Sequence, residues 1–377
     1  MEREEPIAMT EPASTARTPA VLKGSVVGLI LHDVCEEIRL EELRQILGAR
    51  RQEPSFKHAT PEYVRFEKPP VVESLEAITL STGEALRPQL KYYDYGVISV
   101  LLELPFAAGW DELVRLASRW VPSPELERQA QQIVRARLEK IAPAVIRPYA
   151  DWLSEDYYIF LLCEVPACPR GLDLLAEHGP QVAQILRGEQ GSLSRVENDD
   201  TLQSSLSYYP NDLVVVGWNA ALVYDTPAGA QTAIQILEYA NSQLLEFRHY
   251  DELLTRELAG VYAEMKRRGG IVQRWKMRSE ASRLNAVTVE VTELVERSTT
   301  AIKFVSDMFS ARLYRLAAAK VGVPEYKNLV NEKLRTAESL YRFLIDEFHQ
   351  SRGFVLEVMV VIILVIELVY LFRGRGW

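Results

Sequence analysis

The chain of 377 residues is long enough for two or more domains, and its 48% hydrophobic and 25% charged residues are those of a folded globular protein. A formal net charge of −9 argues against broad nucleic-acid binding, so no nucleic acid is expected as a partner. Three cysteines, Cys35, Cys163 and Cys168, show no repeated spacing, which argues against a disulfide framework and for a reducing compartment.

Residues 1–22 are acidic and rich in Pro, Thr and Ala. They have neither the basic start and apolar core of a signal peptide nor the acid-poor composition of a transit peptide, and they read as a disordered tail. An α+β domain is expected over residues 23–228. Its first half, 23–122, reads as a strand (Val26–Val34), a helix (Leu40–Leu47), two strand-like runs within Gln89–Leu104 and a helix (Trp110–Val121). A further helix, about Pro124 to Ile146, follows. The second half, 155–228, repeats the order: a strand (Tyr157–Val165), a helix (Leu172–Arg187), two strand-like runs within Leu206–Tyr224, and a long helix starting near residue 229. LKYYDYGVISVLLELP and LSYYPNDLVVVGWNAALVYDTP hold the same place in the two halves. This order suggests an internal duplication that builds a sheet covered by helices on one face. The charged stretch Glu189–Asp200 is expected to be a loop.

Residues 229–352 read as a long helical, coiled-coil region. One helix runs from Gly229 to Arg268 and is broken by Gly269–Gly270; a second runs from Ile271 to Val321 and is ended by Gly322-Val323-Pro324; a third starts near Glu325. In the third, Val330, Leu334, Ala337, Tyr341, Leu344 and Phe348 follow heptad spacing and form one apolar seam. Its expected partner is the preceding helix, folded back as an antiparallel hairpin with Asn331 and Lys333 near the turn; a homo-oligomeric coiled coil is the alternative. The weak helix formers of NAVTVEV predict a bend in the second helix at Asn285–Val291. The basic group Lys266, Arg267, Arg268, Arg274, Trp275, Lys276 and Arg278 reads either as a lipid-contacting surface or as a solvated hairpin tip.

Residues 353–372 are nearly all apolar, and at ~1.5 Å per residue they would span ~30 Å, the thickness of a hydrocarbon core. The expectation is one C-terminal transmembrane helix followed by a short basic tail, 373–377. The rest of the chain would lie on the cytoplasmic side, with a bacterial inner membrane favoured over a mitochondrial one. Glu357 and Glu367 interrupt the run. They either reach the two interfaces or form a polar stripe that packs against another membrane helix.

No phosphate-binding, dinucleotide-binding, nucleophile-elbow or zinc-protease motif is present in the sequence. Glu246 and His249 make a single E-x-x-H, and Cys163 with Cys168 a single C-x4-C; neither has the second half that a di-iron or zinc site requires. No catalytic residue, metal or cofactor is therefore expected. The residues point to a non-enzymatic, membrane-anchored scaffold or tether, with lipid and either a second copy or another membrane protein as partners. The alternative is an oligomer whose intramembrane glutamates line an ion or proton path.

Residues 313–367 resemble the "required for meiotic nuclear division" (RMD/YagE) family. The match rests on Leu313–Tyr314, on Val323–Pro324, on Val330-Asn331-Glu332-Lys333-Leu334, and on Leu356–Glu357 with Glu367 ten residues after Glu357. The resemblance implies a long helix running into a membrane segment and a role without an established enzymatic activity. Animal relatives act at the inner mitochondrial membrane in support of translation; fungal relatives bear on sporulation and meiosis.

Overall fold

The structure, a computed structural model, describes residues 21–48, 64–66, 68–121, 123–167, 169–266, 271–300, 302–304 and 308–374; for 64–66, 271–278, 297–300, 302–304, 347–358, 372 and 374 it describes the backbone alone. The basic residues Arg267 and Arg268, Cys168 and the expected tail at 1–20 lie outside the described residues.

Two long strands form the spine. β1 (Leu22–Ile38) pairs antiparallel with β7 (Val145–Glu164), from Lys23 opposite Glu164 to Ile38 opposite Val145, with a register shift between Asp33 and Cys35. On the far side of β1 lie β6 (Val97–Ala108), β5 (Ala85–Tyr92) and β3 (Val71–Ser74), all antiparallel, with β4 (Ile78–Thr79) on β5. On the far side of β7 lie β10 (Ala220–Tyr224), β9 (Leu213–Val216) and β8 (Ser205–Leu206). The two halves share an order of elements and differ in pairing: β6 runs antiparallel to β1, whereas β10 runs parallel to β7. A separate pair joins β2 (Val64–Phe66) to β11 (Ile302–Phe304).

Alternation along β1 assigns each face. Val26, Ile30 and Val34 pack on α1 (Leu40–Leu47), α2 (Trp110–Trp120), α3 (Pro124–Ile141) and α4 (Gly171–Arg187). Val27, Leu29 and Leu31 pack on α6 (Pro227–Lys266), with α7 (Ile271–Thr300), α8 (Met308–Val321) and α9 (Val323–Gly374) behind it. The sheet is thus covered on both faces, not one. The reason lies in the strands: β1 from Val26 to Val34 is buried at every position, so both faces need cover. The expected loop at Glu189–Asp200 ends in a short helix, α5 (Arg195–Leu202), because Ser194 accepts the Glu197 N–H at 3.2 Å and caps it.

Local chemistry fixes the ends of the long helices. α6 starts where the Gly229 N–H donates to Thr226 Oγ1 at 3.1 Å, with Pro227 in the first turn. Gly322, at φ +94°, turns the chain between α8 and α9. The second helix does not bend at Asn285–Val291. It runs unbroken through this stretch because Leu284, Val291 and Leu294 are buried against its neighbours, and tertiary packing outweighs weak propensity. The break falls later, between α7 and α8.

The heptad seam of α9 faces α6 and α7 rather than a simple hairpin partner. Ala337, Leu340 and Leu344 pack with Leu258 and Val261 of α6 and with Ala281 and Leu284 of α7. α9 therefore runs parallel to α6, and α7 antiparallel to both, as a three-helix arm. Arg283 to Glu257 (2.7 Å) ties α7 to α6.

Among the described residues no helix is long and apolar enough to cross a membrane. This overturns the transmembrane helix expected at 353–372. With it go the single-pass, tail-anchored topology, the membrane-anchored tether, the ion or proton path through Glu357 and Glu367, and the cytoplasmic placement that depended on the anchor.

Candidate functional site

The densest chemistry in the fold lies along α6. Every residue from Ile236 to Phe247 is buried, because the sheet covers one side of the helix and α7 to α9 the other. Polar side chains in this stretch must find partners or cost roughly 1–3 kcal/mol each. Lys91 of β5 donates to Glu238, and the pair is nearly sealed, with side chains 10% and 0% exposed. Tyr93 also hydrogen-bonds Glu238. One turn on, Ser242 meets the Tyr95 hydroxyl at 2.9 Å and donates to the Tyr239 carbonyl at 2.9 Å. Asn241 Nδ2 donates to the Leu237 carbonyl at 2.8 Å. Gln243 Nε2 donates to the Tyr239 hydroxyl at 3.0 Å, and Gln243 Oε1 accepts from Tyr314 of α8.

The seam ends in an acid–imidazole pair. His249 Nδ1 lies 2.8 Å from Asp33 Oδ2 on β1, beside the register shift. Tyr149 of β7 stacks on the His249 ring, centroids 4.5 Å apart and planes 20° apart. Tyr250 donates to Glu246. Burial raises the Asp33 carboxyl above its usual range, opposed by the hydrogen bond and charge of His249. The same burial, with the Asp33 charge, raises the Cys35 thiol, and burial followed by Asp33 and Glu246 raises the Tyr149 phenol. On the other face of β1, burial lowers His32 to about 4.

An aspartate that orients a histidine is the arrangement of a general base. Close to the pair in sequence, the Cys35 thiol is buried and held neutral, which removes thiolate reactivity. Among the described residues no group of three or more metal-ligating side chains converges. Glu246, half of the sequence's E-x-x-H, is engaged by Tyr250, and His249, the other half, faces Asp33. What the seam does is fix the register of α6 over the sheet through side chains that belong to sequence-distant elements.

The residues singled out from the sequence fall elsewhere. Lys333 reaches α6, donating to Asp251 Oδ1 (2.5 Å), the Asp251 carbonyl (3.2 Å) and Thr255 Oγ1 (2.6 Å). Asn331 is half-buried on α9. Glu367 is exposed, and of Glu357 only the helical backbone is described. Lys266 is exposed at the end of α6; of Arg274, Trp275, Lys276 and Arg278 only the backbone of α7 is described. Sequence reasoning missed Asp33, Lys91, Tyr95 and Tyr149. The available signal was Glu238, Asn241, Ser242, Gln243 and Glu246 inside an otherwise apolar helix, which calls for buried partners.

Residues 23–231 match the family described as "Uncharacterized protein MJ0711, N-terminal domain", more than half of the 377 residues. The chain belongs to this family. Uncharacterized protein MJ0711 of Methanocaldococcus jannaschii is 18% identical over 220 residues, 58% of this chain and 66% of the relative. The chain thus spans just under two thirds of that relative's length. No solved structure matches. The MJ0711 N-terminal match holds the whole large sheet and stops in the first turn of α6. It therefore contains Asp33, Lys91, Tyr93, Tyr95 and Tyr149 and excludes their partners at 238–249. It also ends before 313–367, and the RMD/YagE membership expected from that stretch is not confirmed by the comparisons.

Proposed function

We propose that this chain is a non-enzymatic, self-assembling interaction module. The α+β domain is locked onto a three-helix arm, and copies associate through the end of α9. The observation behind this is the exposed apolar run at that end. Met359, Val360, Val361, Ile362, Ile363, Leu364, Val365, Ile366, Leu368, Val369, Tyr370 and Leu371 are each between 50% and 75% exposed. Contiguous apolar surface of this kind marks an interaction site. Each such side chain gains on the order of 1 kcal/mol on partial burial. Glu367 is the one carboxylate among them and sets where a partner helix must place a polar group.

Two further points support the reading. The reactive groups of the α6 seam engage one another rather than an open cleft. The resemblance of residues 313–367 to the RMD/YagE family, which has no established enzymatic activity, points the same way. The test is the mass of the full chain by light scattering, for wild type and for Ile362→Lys/Val365→Lys. An oligomer that becomes a monomer in the variant supports the proposal; a wild-type monomer at micromolar concentration refutes it.

A further inference from the structure

A cleft separate from the seam opens between the C-terminal end of α4, α5, the turn joining β9 to β10, and the last turn of α8. It is a shallow cleft of about 120 Å³, open to solvent. Four features of its walls are unusual together. Trp218 stands 65% exposed on the β9–β10 turn. That turn is rigid: Gly217 N donates to the Ala220 carbonyl at 2.8 Å, and the Gly217 carbonyl accepts from the buried Tyr157 hydroxyl at 3.1 Å. Lys320 lines the opposite wall, half-buried, with no carboxylate within ion-pair distance among the described residues. Thr201 is 4% exposed, and its hydroxyl has no hydrogen-bond partner among the described residues.

The cations of the walls are Arg187 and Lys320, and Asp200 is the one carboxylate among the lining residues. Arg187 engages Glu197 and lies 3.9 Å from Asp200, so its charge is shared. Lys320 is left as the cation that a ligand can neutralise. A large indole held in water beside it offers a flat face for stacking. We propose that this cleft binds a small molecule carrying a planar ring and an anionic group. The ring lies on Trp218, the anion meets Lys320 with Arg187 at the rim, and the Thr201 hydroxyl supplies a donor from the wall.

The experiment is calorimetric titration of the full chain with two probes of this class, adenosine 5′-monophosphate and 2-naphthoate, and with adenosine and inorganic phosphate as their separated parts. The expected result is saturable one-to-one binding of at least one ring-bearing anion at submillimolar concentration, with each separated part weaker by about tenfold or more. Lys320→Ala weakens it about tenfold, the loss of one charge-assisted contact. Trp218→Ala weakens it by a similar factor, and Trp218→Phe, which keeps a ring, restores most of it. Both residues reach solvent, so the variants melt where wild type does. Absence of saturation by either probe overturns the proposal, as does binding that Lys320→Ala and Trp218→Ala leave unchanged. Inorganic phosphate binding as tightly as the ring-bearing probe overturns the stacking half.

Discussion

Replacing Lys91 with Met tests how the sheet holds α6. The substitution keeps most of the apolar stem and removes the ammonium that Glu238 faces. The Glu238 side chain is fully buried, so its carboxylate is left with the Tyr93 hydroxyl and no opposite charge. Breaking one partner of a buried pair costs roughly 3–5 kcal/mol. Replacing both partners with apolar residues of similar volume is neutral or stabilising by about 1–4 kcal/mol in comparable cases. Lys91→Met is therefore expected to destabilise by about 3 kcal/mol or more, and Lys91→Met/Glu238→Leu to recover most of that loss. The assay is urea unfolding followed by circular dichroism, with a double-mutant cycle to extract the coupling. A loss below about 1 kcal/mol for the single variant would refute the reasoning, and so would a double variant no better than the sum of the singles. Either would mean that water reaches Glu238 or that the pair is not formed.

Three other outcomes follow from the geometry. His32 is held neutral by burial, with its folded pKa lowered from 6.5 to about 4. The stability this carries is complete above pH 6.5 and is lost as the pH falls toward 4, about 3 kcal/mol in all; His32→Gln should flatten that part of a melting-temperature profile, and an unchanged acid slope would contradict it. Leu258→Ala opens a cavity where α6, α7 and α9 meet and should cost roughly 2–5 kcal/mol, with faster hydrogen exchange in the arm than in the sheet; equal acceleration in both would show that arm and sheet open together. Gly96 has φ +94°, and a Cβ there would lie 1.7 Å from the Cys35 carbonyl oxygen. Gly96→Ala should therefore destabilise by more than about 2 kcal/mol, read as a lower urea midpoint; a midpoint within error of wild type would show that the turn can shift.

Much of the local structure was legible in the sequence where periodicity and punctuation agreed. α1 and α4 end at Leu47 and Arg187, as the sequence marks them, and in each case a glycine in the left-handed region follows. α2 buries Trp110, Leu113, Val114, Ala117 and Trp120 at helical spacing. Other features were hidden for physical reasons. The first half of β7 is half-buried or exposed at every position, so nothing in residues 145–156 alternates between buried and exposed as a half-buried strand should. DLVVVGWNAALVY reads as one run, yet Gly217 to Asn219 turn it into a hairpin. The second covered face of the sheet was implicit in the apolar run Val26–Leu31 of β1, a pattern that asks for burial on both sides. The C-terminal run was given a bilayer on composition alone, which does not distinguish one apolar environment from another. The seam could not be read, since Lys91 and Tyr95 meet residues 147 positions away, and no local pattern encodes such a distance.

The end of the family match inside α6 bears on how the protein could be divided. A chain cut at residue 231 would keep the large sheet and lose the helix that covers one side of it. Val27, Leu29 and Leu31 would face water, and Asp33, Lys91 and Tyr95 would lose His249, Glu238 and Ser242. The segment that recurs among relatives and the segment that can stand alone are then two different stretches of chain. Any relative that keeps the first must find another way to roof the same face of its sheet.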